Sequence, residues 1–308
     1  MIVIPPIEVT NARLTDSNVL EDDHPEYSDL TTYAVGDRVI VLTGDGTNYN
    51  NVYESVIADN LGNDPWLDNV DSPTNWLLIG KINRWKMFEL SRNTTTVNDT
   101  SIEVEVTPNT RINTVALFGL QAESVQCIMT VSGDEVYNET IMLTVRNVAT
   151  WLEYFFEPFI FQKAAFFENL PPFTQGVVTI IISRASGEVK CAGCVLGSSV
   201  YLGSAEARAE SDALNFSTVD RNEFGDTLLV PRRTIPKTVQ RVFTDKARVN
   251  RLLQVREDLN AQVAVWSALD DPTNGYFNAG FILGFYRVFR IGLDHPENAV
   301  LTLELEEV

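Results

Sequence analysis

Cys191 and Cys194, in the run CAGC, are the residues whose spacing comes closest to chemistry. A CxxC pair suits a metal or a redox couple. A zinc site, however, needs about four ligands, and neither a second such pair nor a suitable histidine pair accompanies it. A thioredoxin-like pair would open a helix after a strand, whereas VLGSSVYLG downstream does not read as helical. Cys194 to Leu196 therefore read as strand, with Cys191 a small residue near its start. The two histidines, His24 in EDDHPE and His295 in LDHPEN, each precede a proline in loop-like sequence and read as surface residues rather than general bases. No nucleophile elbow is present. GDGTN at 44–48 lacks the lysine and the following helix of a phosphate loop, and Asp45 and Asn48 lack the further carboxylates of a calcium loop. A glycosidase pair of carboxylates stays open because the two can come from distant strands, and among 42 acidic residues a candidate pair carries no weight. The residues thus assign no catalytic group, no metal site and no cofactor.

The formal charge of −19 over 308 residues repels phosphate backbones and anionic lipid heads, which argues against nucleic acid as a partner. Three cysteines are too few for a disulfide framework and point to folding in a reducing compartment. The opening MIVIPPIEVT has no basic segment ahead of its apolar run and does not read as a secretory signal. No stretch approaches the roughly 18 apolar residues of a membrane-spanning helix, so no membrane insertion is expected.

The elements read as mainly β, in four parts. Residues 1–26 are extended and turn-rich, an arm that gains stability only by lying on the body or on a neighbouring subunit. Residues 27–80 hold short β-type runs (DRVIVL, NVYESVIA, NWLLIG) between Gly, Asn, Asp and Pro clusters, a small all-β module with Tyr33, Tyr53 and Trp76 as its core. Residues 81–205 alternate as SIEVEVTP or run apolar as NTVALFGL and GVVTIIIS, which predicts a jelly-roll-like β-sandwich. Residues 206–308 predict an α+β domain. Its one clear helix lies in DKARVNRLLQVREDLN, with Val249, Leu252, Leu253 and Leu259 on one face and Thr244 or Asp245 as cap. In its last strand Leu301, Leu303 and Leu305 share a face and the charges point to solvent.

The stretch YAVGDRVIV…NVYESVIADNLGNDP…NWLLIG resembles the chitin- and cellulose-binding modules of families 5 and 12, through Tyr33, Gly36, Asp37, Val39, Tyr53, Gly62, Pro65 and Trp76. In sugar-binding members an exposed aromatic pair precedes the Gly-x-x-Pro turn. Here Ala58 and Asp59 stand in that place, so a glycan platform would have to be rebuilt from Tyr49 or Trp66. The following INRWKMFEL, together with NFSTVDRNEFGDTLLVPRR and the closing strand, is similar to virion proteins of tailed bacteriophages that carry a degenerate module of this kind.

That resemblance implies a non-enzymatic tail hub, baseplate or fibre-attachment protein, made in a host cytoplasm and working by docking. Its partners would be other tail proteins and further copies of itself in a ring, with Trp85, Met87, Phe88, Trp151, Phe155 and Phe159 as candidate interface residues; internal core is the alternative for each, and the favoured one for Trp85 and Phe88. The alternatives are a host-surface glycan receptor acting through residues 27–80, and a glycan-degrading enzyme with an appended binding module.

Overall fold

The computed structural model describes residues 1–42, 49–68, 70–145, 150–156, 160–206, 210–221, 223–268, 277–293 and 297–308. The protein is mainly β, and its named sheets pair antiparallel throughout. Two helices matter below: α1, Trp151–Phe156, and α2, Val249–Asp258.

Three sheets stack as layers. The outer one has five strands in the order Leu14–Ser17, Thr96–Val106, Val177–Cys191, Ser124–Val131 and Asp134–Met142. Its alternating residues Ile102, Val104, Val178, Ile180 and Ile182 meet Val115, Leu117, Phe167 and Leu196 of a three-stranded inner sheet, closing one sandwich core. That inner sheet, Ala164–Phe167, Thr114–Phe118 and Gly193–Gly197, is covered on both faces, which is why TVALF is apolar without alternation. Ala116, Phe118, Phe166 and Val195 turn the other way, onto Ile4, Val265, Phe281 and Leu283 of the third sheet.

The third sheet has eight strands, among them Ala264–Ser267, Phe281–Gly292, Asn298–Glu307 and Thr234–Asp245. Its far face packs Val242, Trp266, Leu301, Leu303 and Leu305 against Leu252, Val255 and Leu259 at the helix α2. Each such leucine removed from water contributes about 1.5–3 kcal/mol. The Asp245 carboxylate accepts from the Ala247 amide at 2.8 Å and caps a 3-10 turn, Lys246–Arg248, that leads into α2; α2 itself follows Arg248, which makes no side-chain cap bond. Leu253 and Val249 are only half-buried, and the second anchor of the apolar stripe is Val255. The charges of the last strand do not all reach solvent. Glu306 is 9% exposed and Glu307 5%, because cations on neighbouring elements cover them: Arg287 grips Glu306 at 2.5 and 3.2 Å, and Arg92 pairs with Glu307.

Residues 1–26 have no core of their own and lie on the body of the same chain. Strand Ile2–Ile4 inserts between Val200–Tyr201 and Ala264–Ser267, so that Met1 and Val3 fill the helix-side core and Ile4 the sandwich-side core. The Ile7 amide then bonds Leu196 O at 2.9 Å, and Leu14–Ser17 edges the outer sheet. Val19 is buried in the sandwich, and Pro25 and Tyr27 bracket Ile40 of the module with bonds of 3.0 and 2.9 Å. One segment therefore ties the large sheet, the sandwich and the module together.

The module is a three-stranded sheet, Arg38–Val41, Asn51–Ser55 and Trp76–Lys81. Tyr33, Tyr53 and Trp76 are buried on one face, together with Val39 and Val41. Gly36 takes φ +88°, a value that favours glycine, and the Asp37 carboxylate accepts from the Ala34 amide at 2.7 Å, so the Gly-Asp pair builds the turn into the first strand. Asp68 organises the strand that carries Trp76. Its carboxylate accepts from the amides of Thr74, Asn75 and Trp76 and from the Thr74 hydroxyl at 2.5–3.1 Å. Burial pushes this carboxyl up, but those donors outweigh it and hold it well below the usual range.

The other face of the module sheet presents Ile40 and Val52, which Ile82 and Trp85 cover. INRWKMF is thus the seam between module and sandwich, which corrects the candidacy of Trp85, Met87 and Phe88 as interface residues and gives the alternative, internal core. Trp85 is 6% exposed and Met87 0%, and Phe88 packs edge-on to Trp85 with the ring centres 6.1 Å apart. A sheet apolar on both faces needs a lid from its own chain, and these residues supply it.

Candidate functional site

The two residues proposed to rebuild a sugar platform do not come together. Tyr49 lines a cleft of about 190 Å³ with Lys81, Glu8 and Glu89, beside the seam. Trp66 lines a different cleft, of about 350 Å³, with Tyr27, Asp29 and Asp64. There Trp66 stands edge-on to Tyr27 with ring centres 5.7 Å apart, and Tyr27 in turn packs on Tyr33 and Trp76. The Tyr27 hydroxyl donates to Asp64 Oδ1 at 3.3 Å. Burial first, then the Asp64 charge, pushes that phenol up to about 12, so it stays a donor at neutral pH. Ala58 and Asp59, where the module family carries its aromatic pair, are exposed. The arrangement offers one half-buried indole beside carboxylates, a chemistry suited to hydroxyl-rich ligands. Tyr27 and Asp64 were missed in the sequence, because Tyr27 lies at the boundary between arm and module.

The docking candidates separate by exposure. Trp151 and Phe155 of α1 are 79% and 69% exposed, with Leu152 at 71% and Phe156 at 79%. The rings of Trp151, Tyr154 and Phe155 pack on one another, 5.2–6.4 Å apart. Phe159 lies outside the described residues. Farther along the same aromatic run, Phe166 and Phe167 are buried on opposite faces of the inner sheet. One segment therefore supplies both core and surface.

A second apolar surface had no counterpart in the sequence reading. Strands Thr218–Arg221 and Thr227–Val230 pair only with each other, and Val219, Leu228 and Leu229 are 57%, 63% and 67% exposed. TLLV between polar turns looks like any core strand, so sequence alone gave no sign that it projects.

The cysteine pair is structural. Cys191 ends a strand of the outer sheet and Cys194 sits in the inner sheet; both thiols are free and buried, and burial pushes Cys191 up to about 12. Among the described residues no group of three or more His, Cys, Asp or Glu side chains gathers to hold a metal. No described helix is long and apolar enough to cross a membrane. His24 is half-buried in the arm, and His295 lies outside the described residues, as do Asp45 and Asn48. Comparison of the chain with protein-family models, with curated proteins and with solved structures finds no match to any of them.

Proposed function

We propose that this protein is a structural, non-enzymatic component of a phage-like tail, a hub, baseplate or fibre adaptor that works by protein–protein docking and assembles with copies of itself. One observation carries the reading: α1 holds a cluster of large apolar side chains in water on an otherwise well-packed body. Exposed apolar clusters of that kind mark interaction surfaces. The arm threaded through all three units supports the same reading, since a part that transmits load gains from units that cannot separate. The likeness of INRWKMFEL and the module to tail proteins points the same way.

The test is the triple variant W151S/F155S/F156S. These side chains are exposed, so monomer stability is expected to stay within about 0.5 kcal/mol of wild type. Self-association, followed by sedimentation velocity over a concentration series, is expected to be lost. A wild-type chain that sediments as a monomer at every concentration would sink the ring reading.

A second reading, recognition of a host surface glycan, is favoured by the Trp66 cleft alone. Stacking on an indole is worth roughly 1 kcal/mol or more, so Trp66→Ala is expected to weaken retention on the matching glycan about tenfold. Tyr49→Ala, in its separate cleft, is expected to leave it unchanged. No retention of the wild-type chain by chitin, cellulose or bacterial surface glycans in affinity electrophoresis ends this reading.

A further inference from the structure

A cleft of about 480 Å³ opens where the loop after Thr114–Phe118 meets the end of Val177–Cys191. In a chain with 23 basic and 42 acidic residues, the described residues that line it include four cations, Arg92, Lys163, Arg184 and Lys190, and no carboxylate. Its floor is backbone. Gln121 and Lys190 exchange amide-to-carbonyl bonds of 3.0 and 3.2 Å, and Gly119, at φ +62°, comes so close to Ala192 that a Cβ would meet the alanine methyl at 2.5 Å. Arg92 is paired with Glu307, and Lys190 reaches Glu188 at 3.3 Å. Among the described residues neither Lys163 nor Arg184 has a carboxylate partner. The rim carries Phe161, 41% exposed, a few residues after α1. Along the chain, Phe161 follows the last residue of α1 by five positions, so an apolar segment adjoins a positive cleft in the sequence.

The projecting hairpin has the complementary character. Its tip brings Glu223, Phe224 and Asp226 together, with Phe224 89% exposed, and its strands carry the exposed Val219, Leu228 and Leu229. A two-stranded ribbon is marginal in water unless it packs on something. No described residue of the hairpin lines the cleft of its own chain. We propose that the hairpin of one copy docks on the next, its acidic tip in the cleft at Lys163 and Arg184 and its apolar strands against α1. Key and socket are different surfaces, so the contact is head-to-tail and generates a ring or an open chain. This inference rests on the self-assembly reading above and names its contact.

The experiment uses the full chain and sedimentation velocity, with thermal melts as the control for folding. The variants are K163E/R184E, which reverses the socket, E223K/D226K, which reverses the tip, and the four changes combined. Wild-type association is expected to weaken with salt, and each one-sided reversal to lower the association constant by about two orders of magnitude, since facing like charges are costly. A 1:1 mixture of the two one-sided variants is expected to regain large assemblies in alternation, because the unaltered acidic tip of one meets the native basic socket of the other and the reversed tip meets the reversed socket. The combined variant, with its charges swapped, is expected to regain large assemblies.

Assembly that survives both reversals but is lost in the α1 triple variant overturns the socket and leaves self-assembly standing. A mixture that assembles no better than either one-sided variant alone also overturns the socket. A wild-type monomer at every concentration overturns both readings. Retention on polygalacturonate that is lost in K163E/R184E, with self-association unchanged, would assign the cleft to an anionic glycan and overturn the hairpin as its occupant.

Discussion

Replacing Ile4 with aspartate is expected to leave the chain without a cooperative fold. Ile4 is fully buried between Ala116 and Phe118 of the inner sheet and Val265 and Leu283 of the large one. Loss of a buried isoleucine side chain alone costs about 2–5 kcal/mol, and an unpaired carboxylate in its place adds several more. Together these approach the roughly 5–15 kcal/mol that a domain has in total. Ile4→Ala separates the two contributions and is expected to lower stability by about 2–5 kcal/mol while the fold persists. Removing residues 1–6 should be at least as severe as the aspartate, because Val200–Tyr201 and Ala264–Ser267 would both lose the strand between them. Chemical denaturation followed by circular dichroism checks all three. An Ile4→Asp variant within about 1 kcal/mol of wild type would mean that the strand is not the tie described above.

That result bears on how the chain reads as a sequence. The long strands were legible, because alternation in SIEVEVTP and the run TVALF are direct consequences of covering one face or two. The module was legible through Tyr33, Gly36, Asp37, Tyr53 and Trp76, each of which has a local task in a turn or core. What could not be read was which strand lies beside which. IVI at the N-terminus is too short to announce an interior strand, one place from the edge of an eight-stranded sheet, and its partners sit some 200 and 260 residues away. The same limit hid the basic cleft. Arg92, Lys163, Arg184 and Lys190 are scattered in sequence and meet only because three separate strands end at one place. Trp85 shows the opposite failure, since an aromatic run after a module suits either a surface or a seam, and only the second apolar face of the module sheet decides.

Glu307→Ala is the other large effect expected, and it joins stability to the proposed contact. The Glu307 side chain is 4% exposed, paired with Arg92 and 3.9 Å from Arg233, whose side chains keep 27% and 38% exposure. Burial, with Arg233 nearby, already lowers the Arg92 guanidinium from its ordinary value. Without the carboxylate two guanidiniums would face each other. Breaking a fully buried pair costs about 3–5 kcal/mol, and the exposure left to the arginines reduces that here to about 2–3. Glu307→Gln keeps an acceptor and is expected to cost roughly half as much. Arg92 also lines the cleft, so loss of the negative charge makes the socket more positive. Stability measured at high salt, where the proposed contact would be screened, should therefore fall in Glu307→Gln, while the association proposed for low salt should tighten. Arg92→Ala should weaken association. A Glu307→Gln variant whose stability and association fall in parallel would mean that the pair only holds the cleft in shape, and a variant unchanged in both would mean that the pair contributes nothing measurable.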